Sequence, residues 1–293
     1  EQRASHEDYT VAILTQSALA DVIRTNFGFL PEHVARLVSH EVCVEDDFFV
    51  HGGFDLRFIL AQLISSDLDA DRLDYLVRDS YFTGASYGQT DVDWLVSNMA
   101  RYVDDQGRVS LAIDRRALFA FDDFMISRFH MFVMVYFHQK SVAYEEMLKL
   151  YMQSDDCEYL LPSDLEAYRK TDDGHLMAHI RQADNEWARR ITDFDPIKVL
   201  IQVQGADADR VLEEGRCRLA NEGIHAIVVP GFGVVYGQNK DGLPPLYVVD
   251  RGREHAETID QATIIFERYQ HERCVGRLYV RPEDLESARR LMR

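Results

Sequence analysis

The sequence predicts a mainly α fold, with a helical core over residues 1–194 followed by a smaller α+β domain over residues 195–293. Apolar residues recur at helical spacing through most of the first part. Residues 115–152 contain neither proline nor glycine and are strongly apolar, which predicts one long, largely buried helix. After Asp195-Pro196, short strand-like segments alternate with helical ones, and this mixture predicts an α+β domain.

The helical part begins with a helix that is entered through the acidic residues Glu7 and Asp8 and runs to Ile23. Pro31 suits the first turn of the next helix, which extends to about His40. A β-hairpin is predicted within Val103–Ile113, where Asp104-Asp105-Gln106-Gly107 forms the turn. Further helices are predicted over residues 54–65, over the acidic segment that follows, and over residues 92–102, 115–152, 163–169 and 175–191.

The C-terminal part is predicted to mix strands and helices. The strand-like runs are residues 197–203, 224–230, 246–249 and 276–280, and the helical ones are residues 208–221, 258–269 and 282–292.

Acidic residues outnumber basic ones by 50 to 32, which gives a formal net charge of −18. Nonspecific nucleic-acid binding depends on neutralising phosphates with Lys and Arg, so this charge argues against a protein that coats DNA or RNA. The charge also repels an anionic substrate, although salt screens such fields over about 8–10 Å. A nucleotide site must therefore depend on local arginines, lysines or a bound metal.

No apolar run approaches the roughly 18 residues that a membrane-spanning helix needs, and no signal-peptide pattern opens the chain. The cysteines are far apart and show no Cys-x-x-Cys spacing, which fits reduced thiols better than a disulfide framework. We therefore expect a cytoplasmic protein with no membrane partner.

The most informative segment runs from Asp67 to Gly88 and combines carboxylates, arginines and a tyrosine with helical apolar spacing. An ordinary surface helix alternates polar and apolar residues in the same way. The composition nevertheless favours a functional site, because Asp, Tyr and Arg suit a metal ion and phosphates. At about 100° per residue, one arc of the helix is polar and holds Asp71, Asp74, Tyr75, Arg78 and Asp79. The opposite arc is apolar and holds Ala70, Leu73, Leu76 and Val77.

This segment resembles the HD-domain phosphohydrolases, in particular the deoxynucleoside-triphosphate triphosphohydrolase branch. That branch includes bacterial dGTPase-like proteins and the mammalian SAM-and-HD-domain enzyme. The family pattern D-x-D-(K/R)-x-D-Y-x-x-R-D matches from Asp69 to Asp79, and the match continues through Tyr81-Phe82-Thr83-Gly84 and Tyr87-Gly88.

The resemblance implies a role for several of these residues. Asp71 falls where the family has its last metal ligand, and Arg72 falls where a cationic side chain touches the triphosphate. Tyr75 and Asp79 fall where the family holds the deoxyribose and its 3′-hydroxyl. Asp74 and Arg78 have no assigned chemical role, and we expect them to form a structural ion pair within the helix bundle.

Arg128 and Tyr136 lie on the predicted long helix, within about 80° of each other around its axis. The family has an arginine and a tyrosine at this spacing, which implies that Arg128 meets phosphates and Tyr136 packs beneath the sugar. Purely structural roles are the alternative. Phe132 and Phe137 stand where the mammalian enzyme has His and Gln, and aromatic rings cannot make the same hydrogen bonds to a base.

His6 stands in a His-Glu pair, and the family has such a pair near the reaction centre. The resemblance implies a proton-transfer role for His6, and an exposed histidine at a helix start is the alternative. HD enzymes also need a further histidine and an adjacent His-Asp pair, and no His-Asp dipeptide occurs in this sequence. Because family order puts these ligands before His6, we expect the N-terminal part of the HD domain to be missing from this chain. A degenerate, non-catalytic relative is the alternative.

These expectations favour a metal-dependent phosphohydrolase that releases triphosphate from a deoxynucleoside triphosphate, with a divalent metal as its cofactor. A different HD phosphodiesterase or nucleotidase, or a protein that binds nucleotides without hydrolysing them, remains open. By analogy with relatives, we expect a homo-oligomer.

Overall fold

Helices account for most of the secondary structure in the computed structural model, which describes residues 4–45, 47–205, 207–231, 242–250, 256–263, 265 and 275–293. The predicted fold class, mainly α with an additional α+β part, is confirmed. Within those ranges, no helix is both long enough and apolar enough to cross a membrane.

The described helices are α1 (His6–Gln16), α2 (Ala18–Asn26), α3 (Pro31–Val38), α4 (Arg57–Ile64), α5 (Ala70–Thr83), α6 (Val92–Ser97), α7 (Leu118–Met131), α8 (Gln139–Met152), α9 (Leu165–Tyr168), α10 (Asp173–Ile180), α11 (Glu186–Thr192), α12 (Ala208–Asn221), α13 (Ile259–Ala262) and α14 (Leu285–Leu291). The described strands are β1 (Val50–His51), β2 (Phe54–Asp55), β3 (Met99–Val103), β4 (Val109–Asp114), β5 (Lys198–Gln204), β6 (Ala226–Val229), β7 (Tyr247–Val249), β8 (Ala256–Thr258) and β9 (Val275–Val280).

The chain forms two compact units, and each unit is built from separate stretches of sequence. So far as these ranges are described, unit 1 comprises Glu1–Arg128, Pro162–Arg169 and Tyr236–Glu267, and unit 2 comprises Phe129–Leu161, Lys170–Val235 and Arg268–Arg293. The division into domains between residues 194 and 195 stays a prediction. The two compact units do not follow that boundary, because each contains residues from both sides of it.

In unit 1, β3 and β4 form the predicted antiparallel hairpin, with Gly107 at φ +76° in the turn. The four-stranded sheet has the order β3-β4-β7-β8, in which β4 and β7 are parallel. The buried Gln62 of α4 ties this sheet together: its amide donates to Pro244 O at 2.9 Å and accepts from Leu111 N at 2.7 Å. One buried side chain thereby satisfies backbone groups that α4 would otherwise desolvate.

In unit 2, β5, β9 and β6 form an antiparallel sheet with β9 in the centre. Successive residues of β9 face opposite sides, as in any strand. Leu278 packs with Leu212 and Leu219 of α12, whereas Tyr279 packs with Met147 of α8. Helices on both faces therefore bury this small sheet.

The first predicted helix is interrupted at Ser17, because the hydroxyl of this residue forms hydrogen bonds with backbone groups of the helix. The hydroxyl donates to Ile13 O at 2.7 Å and accepts from Leu19 N at 3.1 Å. Ser17 itself is extended and becomes the N-cap of α2. The prediction of one continuous helix to Ile23 is therefore wrong.

The prediction of one long helix from Arg115 to Met152 is also wrong. After α7 the chain forms a π-helical segment, Phe132–Tyr136, in which Phe137 N donates to Phe132 O at 2.7 Å. His138 is extended and starts α8. The buried Arg277 donates to Phe137 O at 2.7 Å, so a distant side chain satisfies a carbonyl at the break.

Other predicted helices are shorter than expected. The helix predicted over residues 54–65 begins at Arg57, because Phe54 and Asp55 pair with β1. The one over residues 92–102 ends at Ser97, because β3 follows. The helix predicted over residues 175–191 is observed as two helices, α10 and α11, and Asn185 is the N-cap of α11. Of the helix predicted over residues 258–269, Ile259–Ala262 is observed, and residues 264 and 266–269 lie outside the described residues.

Candidate functional site

The acidic segment forms α5, and local hydrogen bonds explain where this helix begins and ends. The Asp69 carboxylate accepts from Arg72 N at 2.8 Å and from Ser66 N at 3.2 Å, so it caps the N-terminus. Gly84 follows the last turn at φ +70°, which glycine adopts without the strain that a Cβ would bring. Both ends of the helix are therefore fixed, and they determine which side chains between Asp69 and Gly84 share a face.

The turn after α5 lies against the backbone of the helix. A Cβ on Gly88 would clash with Leu76 O and would lie 2.8 Å from Ser80 Cβ. The Ser80 hydroxyl donates to Ala85 O at 2.5 Å and holds the turn from the other side. Only glycine fits this approach, which explains the Tyr87-Gly88 step of the motif.

The buried face of α5 consists of Leu73, Leu76 and Ser80. Val77 was predicted to share the apolar arc, but its side chain is exposed. Asp71 is exposed in the first turn, whereas Tyr75 and Asp79 are half-buried. Because Tyr75 and Asp79 are four residues apart on a helix, their side chains are neighbours on its surface.

Two arginines that are far apart in sequence meet at one carboxylate oxygen. Asp67 Oδ1 lies 3.3 Å from Arg72 Nη1 and 3.5 Å from Arg128 Nη1. Arg72 also donates to Ser66 O, and its Nε lies 3.6 Å from Asp69 Oδ2. We call Asp67, Asp69, Arg72 and Arg128 the arginine cluster; it holds two positive and two negative side chains.

Burial shapes the electrostatics of the arginine cluster. Desolvation raises the pKa of Asp69 above its ordinary value, against the opposing effects of the hydrogen bonds from Arg72 and Ser66 and of the Arg72 charge. The Arg128 side chain is only 12% exposed, so it too is largely withdrawn from water. Charges in such surroundings interact more strongly than charges at an open surface.

Asp74 and Arg78 form the ion pair expected for them, with 3.0 Å between Asp74 Oδ2 and Arg78 Nη2. Both side chains are exposed, one turn apart on α5, so the expectation that the pair lies within the helix bundle is wrong. Pairs of this kind add little to stability, because water screens them.

A divalent metal was expected to bind at Asp71. In the part of the chain that the structure describes, no three His, Cys, Asp or Glu side chains are grouped so that they could hold a metal ion. One carboxylate does not bind a divalent cation firmly by itself. The described residues therefore do not make a complete metal site.

His6 is the first residue of α1, which Ser5 and Asp8 begin with a capping box. Its side chain is 85% exposed, and its Nε2 lies 3.0 Å from Glu7 Oε1. The structure thus gives His6 a solvated position and a neighbouring carboxylate.

Tyr136 ends the π-helical segment and is exposed in unit 2, whereas Arg128 ends the first stretch of unit 1. The predicted angle of about 80° between them assumed an unbroken α-helix, so that geometric premise is wrong. Phe137 is buried, stacks on Phe132 with 5.5 Å between ring centroids, and lies under the Arg277 guanidinium.

The family resemblance implies no role for Asp67 or Asp69, although both lie in the motif segment. Asp69 had a recognisable signal, because an Asp directly before a helical run is a common N-cap. Asp67 had no such signal, because it lies in a turn before α5 and its partner Arg128 lies far along the chain, in α7.

No family model matches the chain. The uncharacterized protein MG461 of Mycoplasma genitalium is 30% identical over 140 residues, which is 48% of this chain and 30% of that protein. The uncharacterized protein YwfO of Bacillus subtilis is 33% identical over 144 residues, which is 49% of this chain and 29% of that protein. The matched region thus spans less than a third of the length of these relatives.

Two solved structures share the fold. A hypothetical protein from Aquifex aeolicus matches with a TM-score of 0.73 and 23% identity, over 99% of this chain and 73% of that chain. A phosphohydrolase from Bacteroides thetaiotaomicron, BT4208, matches with a TM-score of 0.61 and 20% identity, over 96% of this chain and 73% of that chain. At these identities the likeness concerns the fold.

Proposed function

We propose that this protein is a phosphohydrolase that acts on nucleoside triphosphates and releases triphosphate from a deoxynucleoside triphosphate. The observation that carries the proposal is the meeting of Arg72 and Arg128 at Asp67, directly before α5. The shared fold with the phosphohydrolase from Bacteroides thetaiotaomicron supports the reaction class. The motif from Asp69 to Asp79 supports the triphosphate substrate.

In this proposal Arg72 and Arg128 bind the phosphate chain. A guanidinium presents a planar set of donors that matches phosphate oxygens, and it stays charged at any physiological pH. The chain carries a net charge of −18, so an anionic substrate depends on local cationic side chains such as these two arginines.

The sugar is assigned to Tyr75 and Asp79 of unit 1, and the role at the sugar that the family resemblance implies for Tyr136 stays a prediction. A phenol and a carboxylate one helical turn apart can both hydrogen-bond a hydroxyl group that lies above that face of α5. Their half-buried position limits competition from water. His6 is assigned to proton transfer to the leaving oxygen.

The proposal also includes a divalent cation, for which Asp71 provides one carboxylate ligand. When bound, such a cation polarises a phosphate or activates water. The described residues do not complete its ligand set.

The test incubates the full-length protein with dGTP and Mg²⁺ or Mn²⁺ and separates the products by ion-exchange chromatography. We expect equal amounts of deoxyguanosine and triphosphate. Formation of dGMP and pyrophosphate, or of dGDP and phosphate, would instead assign the protein to another class of phosphohydrolase. Saturable binding of dGTP without any product would identify a nucleotide-binding protein.

The arginine assignment has its own test, the substitution Arg128→Gln. We expect kcat/KM for dGTP to fall about 100-fold, because a largely buried charge-assisted contact to phosphate is lost. Arg78→Gln is the matched control, since Arg78 is an exposed arginine paired with Asp74. Equal activities of the two variants would contradict the assignment.

A further inference from the structure

We propose that Asp67 sets the affinity of this site for the phosphate chain by competing with phosphate for Arg72 and Arg128. The inference rests on the proposed function, which assigns both arginines to phosphate but gives Asp67 no role.

The geometry places one carboxylate oxygen between two guanidinium groups. The same oxygen, Asp67 Oδ1, lies within 3.5 Å of Arg128 Nη1 and within 3.3 Å of Arg72 Nη1. The Asp67 side chain is 18% exposed and the Arg72 side chain 25%, so the contacts are partly shielded from water. A carboxylate oxygen in this position accepts a hydrogen bond from Arg72 and neutralises part of the positive charge of both guanidinium groups, which a phosphate group requires.

The two arginines depend on Asp67 to different degrees. Arg72 is also anchored to Ser66 O and lies 3.6 Å from Asp69 Oδ2, so it keeps its position when Asp67 is neutralised. Arg128 comes from α7, and its ion pair with Asp67 joins it to the segment before α5. The charge of Asp67 therefore acts on both arginines, while the backbone around Arg72 is held independently.

A phosphate chain has two ways to enter, and both are unfavourable while Asp67 is ionised. It can displace Asp67 from the guanidinium groups, which leaves a partly buried carboxylate without its ion pairs. Alternatively it can bind beside Asp67 and experience like-charge repulsion at short range. Removing this negative charge while keeping the side-chain volume should therefore strengthen anion binding.

The experiment measures binding of inorganic tripolyphosphate to the full-length protein by isothermal titration calorimetry, at low salt and without added divalent cation. We expect Asp67→Asn to bind at least about fivefold more tightly than the unchanged protein. Asp74→Asn is the matched control, because it removes the same charge from an exposed position on α5. We expect its affinity to stay within about twofold of the unchanged protein.

If Asp67 had only a structural role, Asp67→Asn would not increase the affinity for tripolyphosphate. If Asp67 only holds the arginines in place, Asp67→Asn will bind tripolyphosphate more weakly, and the proposal is overturned. An affinity equal to that of Asp74→Asn overturns it as well. Asp67→Ser provides a second, smaller uncharged side chain, and loss of folding in both Asp67 variants would assign this residue to structure alone and overturn the proposal.

The same titrations separate this inference from the proposed function. Absence of tripolyphosphate binding by the unchanged protein, or binding that Arg128→Gln leaves intact, counts against the assignment of the arginines to phosphate and removes the basis of the inference. If Arg128→Gln abolishes tripolyphosphate binding but Asp67→Asn leaves the affinity unchanged, only the inference about Asp67 is overturned.

Discussion

Arg277 of β9 donates from Nη1 to the carbonyl oxygen of Phe137 at 2.7 Å, and its guanidinium lies 4.6 Å from the centroid of the Phe137 ring. Its Nε donates to Gln202 Oε1 at 3.0 Å. Tyr279, two residues along the strand, donates from its hydroxyl to Gln139 O at 3.0 Å. Side chains of one strand thus supply the donors at the break between the π-helical segment and α8.

This relationship predicts that Arg277→Met destabilises the protein. The substitution keeps an elongated apolar side chain but leaves Phe137 O and Gln202 without their donor. We expect the free energy of unfolding to fall by about 2 kcal/mol or more, measured by urea denaturation. Arg289→Met, at an exposed arginine paired with Glu286, serves as the control and should change stability by less than about 0.5 kcal/mol. Similar losses for both variants would argue against a special role for Arg277.

A second prediction concerns the close approach of Gly88 to α5. Gly88→Ala forces a methyl group against Leu76 O and Ser80 Cβ, so the turn or the helix must move. We expect a loss of about 2 kcal/mol in the free energy of unfolding. Gly28→Ala is the matched control, because a Cβ on Gly28 meets no atom within 4 Å among the described residues. A stability of Gly88→Ala as high as that of Gly28→Ala would contradict this packing.

A third prediction concerns stability in acid. Hydrogen bonds from Arg281, and then from Arg190, lower the pKa of Glu186 against the effect of burial. The unfolded chain therefore binds the proton at a higher pH than the folded one, and the stabilisation is present above the unfolded pKa of about 4.3. It is lost as the pH falls through the lower folded pKa.

The measurement is the thermal unfolding midpoint between about pH 6 and about pH 3. We expect Glu186→Gln to lower the midpoint at pH 6 and to show a smaller further decrease in acid than the unchanged protein. Burial raises the pKa of Asp69, which gives a contribution of the opposite sign, so the comparison between variants isolates Glu186. Parallel curves for the two proteins would refute the prediction.

A fourth prediction concerns the cation in the proposed function. Asp71→Asn in the full-length protein should reduce both the content of bound metal, measured by plasma mass spectrometry, and the hydrolysis of dGTP. We expect activity to fall by about 100-fold or more. Asp74→Asn, a neighbouring exposed carboxylate on α5, should leave both quantities unchanged. Normal turnover by Asp71→Asn would exclude Asp71 as a metal ligand.

The parts of the fold that the sequence predicts well are those with local signals. Helix α12 occupies residues 208–221 as predicted, because its apolar spacing is complete within the segment. The hairpin of β3 and β4 is likewise specified by its own turn residues. The end of α7 is different: neither proline nor glycine marks it, and the side chain that accompanies the break, Arg277, comes from the last strand.

The features of the candidate site also fall into those that neighbouring residues determine and those that depend on distant packing. The motif predicts α5 and the position of Arg72, because these depend on neighbouring residues. The contact between Asp67 and Arg128 depends on how α7 packs, and no pattern within either segment indicates it. The roles of His6, Asp71, Tyr75, Asp79 and Tyr136 stay predictions.

The four-stranded sheet of unit 1 has a consequence for truncated versions of this protein. A fragment that stops at residue 194 keeps β4, which is buried along its length, but lacks β7, its parallel neighbour at residues 112–114. The uncovered N–H and C=O groups of an apolar strand are a template for pairing with another chain. Such a fragment should therefore self-associate and precipitate, so activity assays on it would report the damaged sheet rather than the chemistry of α5.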